Sequence, residues 1–195
     1  MSQSEPEGLA VRKRRATNAR IAASAARLAA LHGVGGTTVD RIAADAEVAR
    51  ATFFRYYDTK ESAVAEGITG PWLTLVTAAI ARQPAELAPK EALVTAFGEL
   101  AAEFPAHEDA IRELARLTRT SATLAAWTAQ AYQRYERAIA ELLAPRFREV
   151  VERDPRPRML AALAMAAVRI SLDDWIGGGG ALPDLIGRAL DTIAV

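Results

Sequence analysis

Cysteine is absent from this chain, and histidine occurs only twice, at His32 and His107. The first absence excludes disulfide frameworks, thiolate zinc sites and cysteine nucleophiles. The second leaves any metal centre without imidazoles at ligand spacing. His107-Glu108-Asp109 looks like a ligand cluster, but acids in the first turn of a helix simply complement its dipole. There is no G-x-S-x-G, no H-E-x-x-H and no glycine-rich dinucleotide fingerprint. Asp173 and Asp174 are adjacent, so on a helix they point to different faces and cannot share a substrate. The glycine run 177–180 follows a helical stretch and lacks the Lys and Ser/Thr of a phosphate-binding loop, which leaves it as a connector. No apolar run approaches the ~20 residues of a membrane span. The expectation is a cytoplasmic protein, not an enzyme, with no catalytic residues, no metal and no cofactor.

What is present fits a soluble globular chain of one or two domains: 195 residues, 51% apolar and 25% charged. The net charge is zero, yet it is unevenly spread. Residues 1–60 hold ten Lys or Arg against six Asp or Glu, and the remainder holds fourteen against eighteen. A basic first third is the electrostatic footprint of phosphate binding. Arg12-Lys13-Arg14-Arg15 followed by alanine-rich sequence imitates a secretory signal, but Arg20 and Arg27 interrupt its apolar core. Ile21, Ala25, Leu28 and His32 instead share one helical face. Residues 11–32 therefore read as a first helix ended by Gly33, preceded by a disordered tail over 1–10. The basic start, with Arg14 and Arg15, forms a phosphate-contacting arm.

Two short helical stretches follow, separated by Glu47-Val48-Ala49. The first runs from about Thr38 to Ala46, with Val39, Ile42 and Ala43 at the i, i+3, i+4 spacing of a buried face. The second runs from about Arg50 to Tyr56. Such a pair is a helix-turn-helix, whose second helix enters the major groove with its N-terminal residues at base edges. Arg50 and Thr52 stand at that N-terminus.

The stretch from Asn18 to Glu66 resembles the DNA-binding domain of the TetR family of bacterial transcriptional regulators. Gly33, Thr37-Thr38, Ile42-Ala43, Val48, Thr52-Phe53, Tyr56 and Lys60-Glu61 all fall where that family's pattern puts such residues. Six departures stand out: Ala29 and Leu31 where an aromatic and a polar residue are usual, Glu47 for a glycine in the turn, Ala49 for a capping serine, Phe54 for a tyrosine and Tyr57 for a phenylalanine. The resemblance implies that Arg14, Arg15, Thr38, Arg41, Arg50, Ala51, Thr52, Phe54, Arg55, Tyr56 and Lys60 face double-stranded operator DNA. Arg50 and Arg55 carry affinity, Thr52 and Tyr56 position the helix, Thr38 contacts the backbone and Lys60 holds a phosphate. Two subunits would present two such helices to a near-palindromic operator.

After Tyr57 the pattern stays helical, so the fold class is all-α with about nine helices. The DNA-binding domain is expected over 11–70 and a ligand-binding and dimerisation domain over 71–195. Helix four should open near Thr59 and run to about Arg82, kinked or divided at Gly67 and Gly70-Pro71. Helix five spans about Pro89 to Phe104, with Leu93, Phe97, Leu100 and Phe104 on one stripe, and helix six about His107 to Arg119. Helix seven spans about Ser121 to Val151 with Pro145 kinking it, its apolar stripe being Leu124, Trp127, Ala131, Tyr135, Ala138 and Leu142. Helix eight begins at Asp154-Pro155 and ends at the glycine run. Helix nine covers about Leu182 to Ala194.

Helix eight is apolar around most of its circumference, which requires burial on more than one side. Leu160, Leu163, Ala167 and Ile170, with Ile186, Leu190 and Ile193 of helix nine, are expected to form a homodimer interface, a four-helix bundle across a two-fold axis. Trp72, Val76, Phe97, Leu100, Phe104, Trp127 and Tyr132 supply aromatic and apolar surface for a ligand pocket. Residues 110–195, especially AIRELARLTRTSATLAAW, QAYQRYERAIAELLAPR and LDDWIGGGG, are similar to the body of TetR relatives that bind acyl-CoA-like ligands. That resemblance implies a small-molecule effector, with Arg112, Arg116, Arg119 and Arg134 available at the pocket mouth to pair with its phosphates or carboxylate; an apolar drug-like compound would not need them. Three functions follow: a ligand-responsive repressor, a helical small-molecule-binding protein that has lost operator binding, and an all-helical enzyme. The last lacks a nucleophile or a metal.

Overall fold

Gly33 is the first break in the chain's helical order. In the computed structural model, which describes residues 8–147 and 152–194, α1 runs from Leu9 to Gly36, but Gly33 adopts φ 69°, a backbone conformation natural only to glycine. The regular part of α1 thus ends where the sequence predicts, and it starts two residues earlier than expected. Leu9 and Ala10 are helical, while the rest of the tail expected over 1–10 lies, Gly8 apart, outside the described residues. Ile21 and Ala25 are fully buried, whereas His32 is exposed.

α2 (Val39–Asp45) starts at Thr38, whose hydroxyl accepts the Arg41 N–H at 3.3 Å. Its end is a Schellman turn: the Val48 N–H donates to the Ala43 carbonyl at 2.9 Å and the Glu47 N–H to that of Ala44 at 3.1 Å. The left-handed position of that turn falls on Glu47, at φ 52°. α3 (Arg50–Phe54) follows, its N-cap Ala49 making no side-chain cap bond. Phe53, fully buried, anchors α3, with Tyr57 tilted against it at 5.9 Å.

α4 (Lys60–Arg82) runs through Gly67 and Gly70-Pro71 without being divided, where a kink or a division was expected. Gly67 is there for proximity: a Cβ at this position would lie 2.1 Å from the Ala22 carbonyl oxygen and 2.7 Å from the Ala26 Cβ of α1. Pro71 lies inside the helix and removes one intrahelical donor. α4 is also long and apolar enough to cross a membrane by length and composition, contrary to the expectation that no run approaches that length. Ala63, Val64, Ala65, Val76, Ala79 and Ile80 are buried, and 33% of the apolar window is buried in all.

The remaining helices are α5 (Pro89–Leu100), α6 (Glu108–Thr120), α7 (Ala122–Leu143), α8 (Arg156–Ile176) and α9 (Leu182–Asp191), with 3-10 turns at Phe104–Ala106 and Ala144–Arg146. The architecture is all-α, with no strand among the described residues. α5 stops at Leu100, short of Phe104. α7 gives way to the 3-10 turn at Pro145, and the expected continuation to Val151 falls outside the described residues. The inward stripe of α7 is Leu124, Thr128, Ala131, Tyr135, Ile139 and Leu143; Ile139 and Leu143 take the inner positions expected for Ala138 and Leu142. Neighbouring positions lie ~100° apart on a helix, and packing against α8 selects between them. Gly178 and Gly180 take positive φ in the turn from α8 to α9.

The chain divides into two compact units between Thr69 and Gly70. In the second, one core joins α4, α5, α7, α8 and α9 through residues such as Ile80, Leu93, Ile139, Leu143, Leu160 and Leu190. A smaller cluster gathers Phe104, Trp175 and Leu182.

Candidate nucleic-acid interface and ligand site

In the first unit, the helix-turn-helix sets its polar side chains on an anchored base. Phe53 is buried and Phe54 stands edge-on against it, centroids 5.4 Å apart and planes at 86°, with Phe54 itself 45% exposed. The Arg50 guanidinium lies 5.5 Å from the Phe54 ring centroid, and its Nη1 donates to Asp40 Oδ1 of α2 at 2.5 Å. Arg55 lies over the Tyr56 ring at 5.9 Å. Ala51 is exposed and Thr52 half-buried.

Arg55 and Tyr56 also line a surface recess of about 490 Å³ together with Ala10, Lys13, Arg14 and Thr17 of α1. The structure thus brings Arg14 of the basic arm next to the end of α3, with three cations and no acid in the lining. Lys13, part of the basic start, and Thr17 belong to this recess; Thr17, whose Oγ1 donates to the Lys13 carbonyl, was not singled out from sequence, and its i, i+4 spacing from Lys13 was the available signal. Arg15 is exposed elsewhere on the same turn. Arg41 reaches back to the Gly36 carbonyl at 3.5 Å.

Lys60 has a different employment from the phosphate contact that the resemblance implies. Its Nζ donates to the carbonyls of Val34 at 2.8 Å, Thr37 at 2.7 Å and Gly35 at 3.5 Å. The ammonium caps the end of α1, and only 24% of the side chain is exposed. Nearby, the Ser24 hydroxyl and the Arg27 guanidinium hold the Asp45 carboxyl below the ordinary carboxylate range.

In the second unit, Trp72, Val76, Phe97, Leu100 and Tyr132 join or pack against the main core. Phe104 belongs to the smaller cluster, against which Trp72 also packs. Trp127 is not with them; it is half-buried under Arg134, 5.3 Å from its ring centroid. Arg112 stacks on Trp175 at 3.9 Å while donating to Glu108 Oε1 at 2.8 Å. Arg119 donates to the Asp173 carboxylate at 2.7 Å. Of the cations expected at the pocket mouth, Arg112 and Arg119 are therefore tied to α8 or to their own helix. Burial, with Asp173 adding to it, pushes the Tyr132 phenol upward in pKa.

Two polar atoms stand out in this body. Trp72 Nε1 and Ser171 Oγ are buried with no hydrogen-bond partner. A buried N–H or hydroxyl without a partner costs about 1–3 kcal/mol. Ser171 was not foreseen, because a serine in an apolar helix gives no sign of which neighbours it will meet.

On α8, Leu160 and Ala167 are buried in the chain's own core, as are Leu190 and Ile193. This corrects their placement in a subunit interface. Leu163 and Ile170 remain exposed, at 45% and 49%, beside Met159 at 59%. Ile186 is half-buried, packed against both clusters.

Residues 21–66 match the model of bacterial regulatory proteins of the tetR family, and residues 87–195, more than half of the chain, match that of the MftR C-terminal domain. No curated protein sequence matches the chain. Among solved structures, a TetR-family repressor, FadR of Thermus thermophilus, in complex with lauroyl-CoA, is similar at 23% identity and TM-score 0.67, covering 89% of this chain and 91% of its own. A TetR regulator from Rhodococcus sp. RHA1 is similar at 16% identity and TM-score 0.63, with 92% and 96% covered. FadR of Bacillus subtilis in complex with stearoyl-CoA follows at 16% identity and TM-score 0.52, with 88% and 95% covered. At these identities the likeness is one of fold.

Proposed function

The chain belongs to the TetR family of bacterial regulatory proteins, with the MftR C-terminal domain, and is a ligand-responsive DNA-binding regulator of transcription; from that premise we propose a homodimeric repressor released from its operator by an acyl-CoA-like effector. Residues 11–70 form the DNA-binding domain and 71–195 the ligand-binding and dimerisation domain. Arg50, Ala51, Thr52 and Phe54 face the major groove. The recess with Lys13, Arg14, Arg55 and Tyr56 receives a backbone phosphate, which three cations without a competing acid favour.

The observation that carries the effector reading is that two buried donors of the second unit, Trp72 Nε1 and Ser171 Oγ, are left without partners. A ligand with an apolar chain and a carbonyl matches such a unit, and two relatives of this fold hold lauroyl-CoA and stearoyl-CoA. Arg112 and Arg119 exchange their carboxylates, Glu108 and Asp173, for the anionic end of the ligand. α4 supplies Trp72 and Val76 to the body and Lys60 to the DNA-binding domain. A ligand that repacks Trp72 therefore acts on the helix that ends at the DNA-binding domain. Reciprocity follows: operator DNA weakens effector binding by the same factor as effector weakens DNA binding.

The second subunit covers Met159, Leu163 and Ile170, three large apolar side chains along one face of α8 with no cover in the single chain. The test is a gel shift on duplexes selected by the protein, with acyl-CoAs of increasing length, the matching free acids and hydrophobic drugs added. Acyl-CoAs should release the DNA and raise the melting temperature. If no acyl-CoA of any length does either, the effector assignment fails and the regulator reading stands.

A further inference from the structure

Asp40 is an acid on a surface whose business is to approach phosphates. It is 69% exposed in the first turn of α2, and its carboxylate holds Arg50 of α3 at 2.5 Å. The same guanidinium lies 5.5 Å from the ring centroid of Phe54, against which the buried Phe53 stands edge-on. The Schellman turn at Ala43–Val48 fixes the connection between the helices that carry Asp40 and Arg50.

We propose that Asp40 is a specificity-determining positioning residue: with Phe54 it clamps Arg50 in the pose that reads a base edge, and it penalises duplexes that offer Arg50 no bidentate acceptor. The inference rests on the groove assignment above. The clamp engages Nη1, and a guanidinium keeps a second edge of N–H donors, enough for the paired acceptors of guanine. A free arginine would lose its rotamer freedom on binding, a cost that a pre-set side chain avoids. The carboxylate meanwhile repels the phosphates of every sequence alike. Only a site where Arg50 finds its base recovers that loss, so Asp40 lowers affinity in general and raises discrimination. Phe54 has a defined part here: an apolar ring in place of a tyrosine leaves a face for the guanidinium and adds no competing hydroxyl.

The experiment uses the full chain. The wild type enriches a preferred duplex from a random library, and the dissociation constants for that duplex and for random-sequence duplex are measured for the wild type, Asp40→Asn, Arg50→Ala and the double variant. Asp40→Asn should bind random duplex at least as tightly as the wild type, while its preferred-to-random ratio falls about tenfold, within the range of one bidentate base contact. The double variant should discriminate no worse than Arg50→Ala alone, since the acid acts through the arginine. Phe54→Leu should lower the ratio in the same direction. If Asp40→Asn raises both affinities in parallel and leaves the ratio unchanged, Asp40 is an ordinary surface charge and the proposal falls. It falls equally if Asp40→Asn erodes discrimination in the Arg50→Ala background. A wild-type chain that enriches no sequence overturns the groove assignment, and the clamp with it.

Discussion

Glu47 sits at φ 52° in the turn between α2 and α3, where a side chain with a Cβ is strained by ~1–2 kcal/mol. Glycine relieves that strain at a smaller entropic cost in the unfolded chain. Glu47→Gly should therefore stabilise the DNA-binding unit by about 1 kcal/mol, measured by urea denaturation. A loss of stability would mean that the carboxylate itself has a role in the turn. Lys60 admits an equally direct test. With three carbonyls around its ammonium, Lys60→Met should cost about 1.5–3 kcal/mol of stability and leave the salt dependence of DNA binding intact. An unchanged melting temperature with a salt slope lower by about one would instead favour the phosphate contact implied by the family pattern. Asp45 provides the pH dependence. Its pKa is lowered by Ser24 and Arg27, so the stability it contributes is present above the ordinary carboxylate pKa. That contribution disappears as pH falls through the lowered value, and Asp45→Asn should flatten the acid limb of a melting-temperature profile.

The helices owe several of their ends to cations from elsewhere in the chain. Lys60 closes α1; Arg146 donates to the carbonyls of Ile80, Gln83 and Pro84 at the end of α4; Lys90 donates to those of Asp191 and Ile193 at the end of α9. A positive charge there satisfies orphan carbonyls and complements the helix dipole. Helix-to-helix proximity is set by small residues instead. Gly67 lets α4 pass directly over Ala22 and Ala26, and Gly67→Ala should destabilise the DNA-binding unit by roughly 1–3 kcal/mol as the two helices are forced apart. Thermal unfolding of that variant checks it; wild-type stability would show that the helices can separate freely.

For the whole molecule, the proposed dimer rests on the exposed apolar face of α8. Met159, Leu163 and Ile170 lie there, so the wild type should sediment as the proposed dimer at micromolar concentration and Leu163→Asp with Ile170→Asp as a single-chain species. The buried Leu160 and Leu190 are unsuited to this test, because changing them empties the chain's own core. A variant still dimeric with both aspartates would move the interface off this face. Operator affinity should fall in the monomeric variant, since each half-site would then be held by one DNA-binding unit alone.

Local order was legible from the residues themselves. The i, i+3, i+4 spacing of Ile42 and Ala43, the break at Glu47-Val48-Ala49, the capping Thr38 and the helix-ending Gly33 all act over a few residues, so the chain writes them in adjacent letters. The same holds for the basic first third and for the all-helical remainder. Tertiary structure decided whatever joins distant positions. Lys60 finds carbonyls 23 to 26 residues away, Arg50 finds Asp40 across the turn, and Gly67 meets Ala22. α8 is the plainest case. Its apolar residues surround the helix, so periodicity alone ranks no face above another. Burial of Leu160 and Ala167 and exposure of Leu163 and Ile170 were settled only by the helices that pack beside them. Ser171 and Trp72 belong with these, because a polar atom is unpartnered only relative to neighbours that folding brings to it.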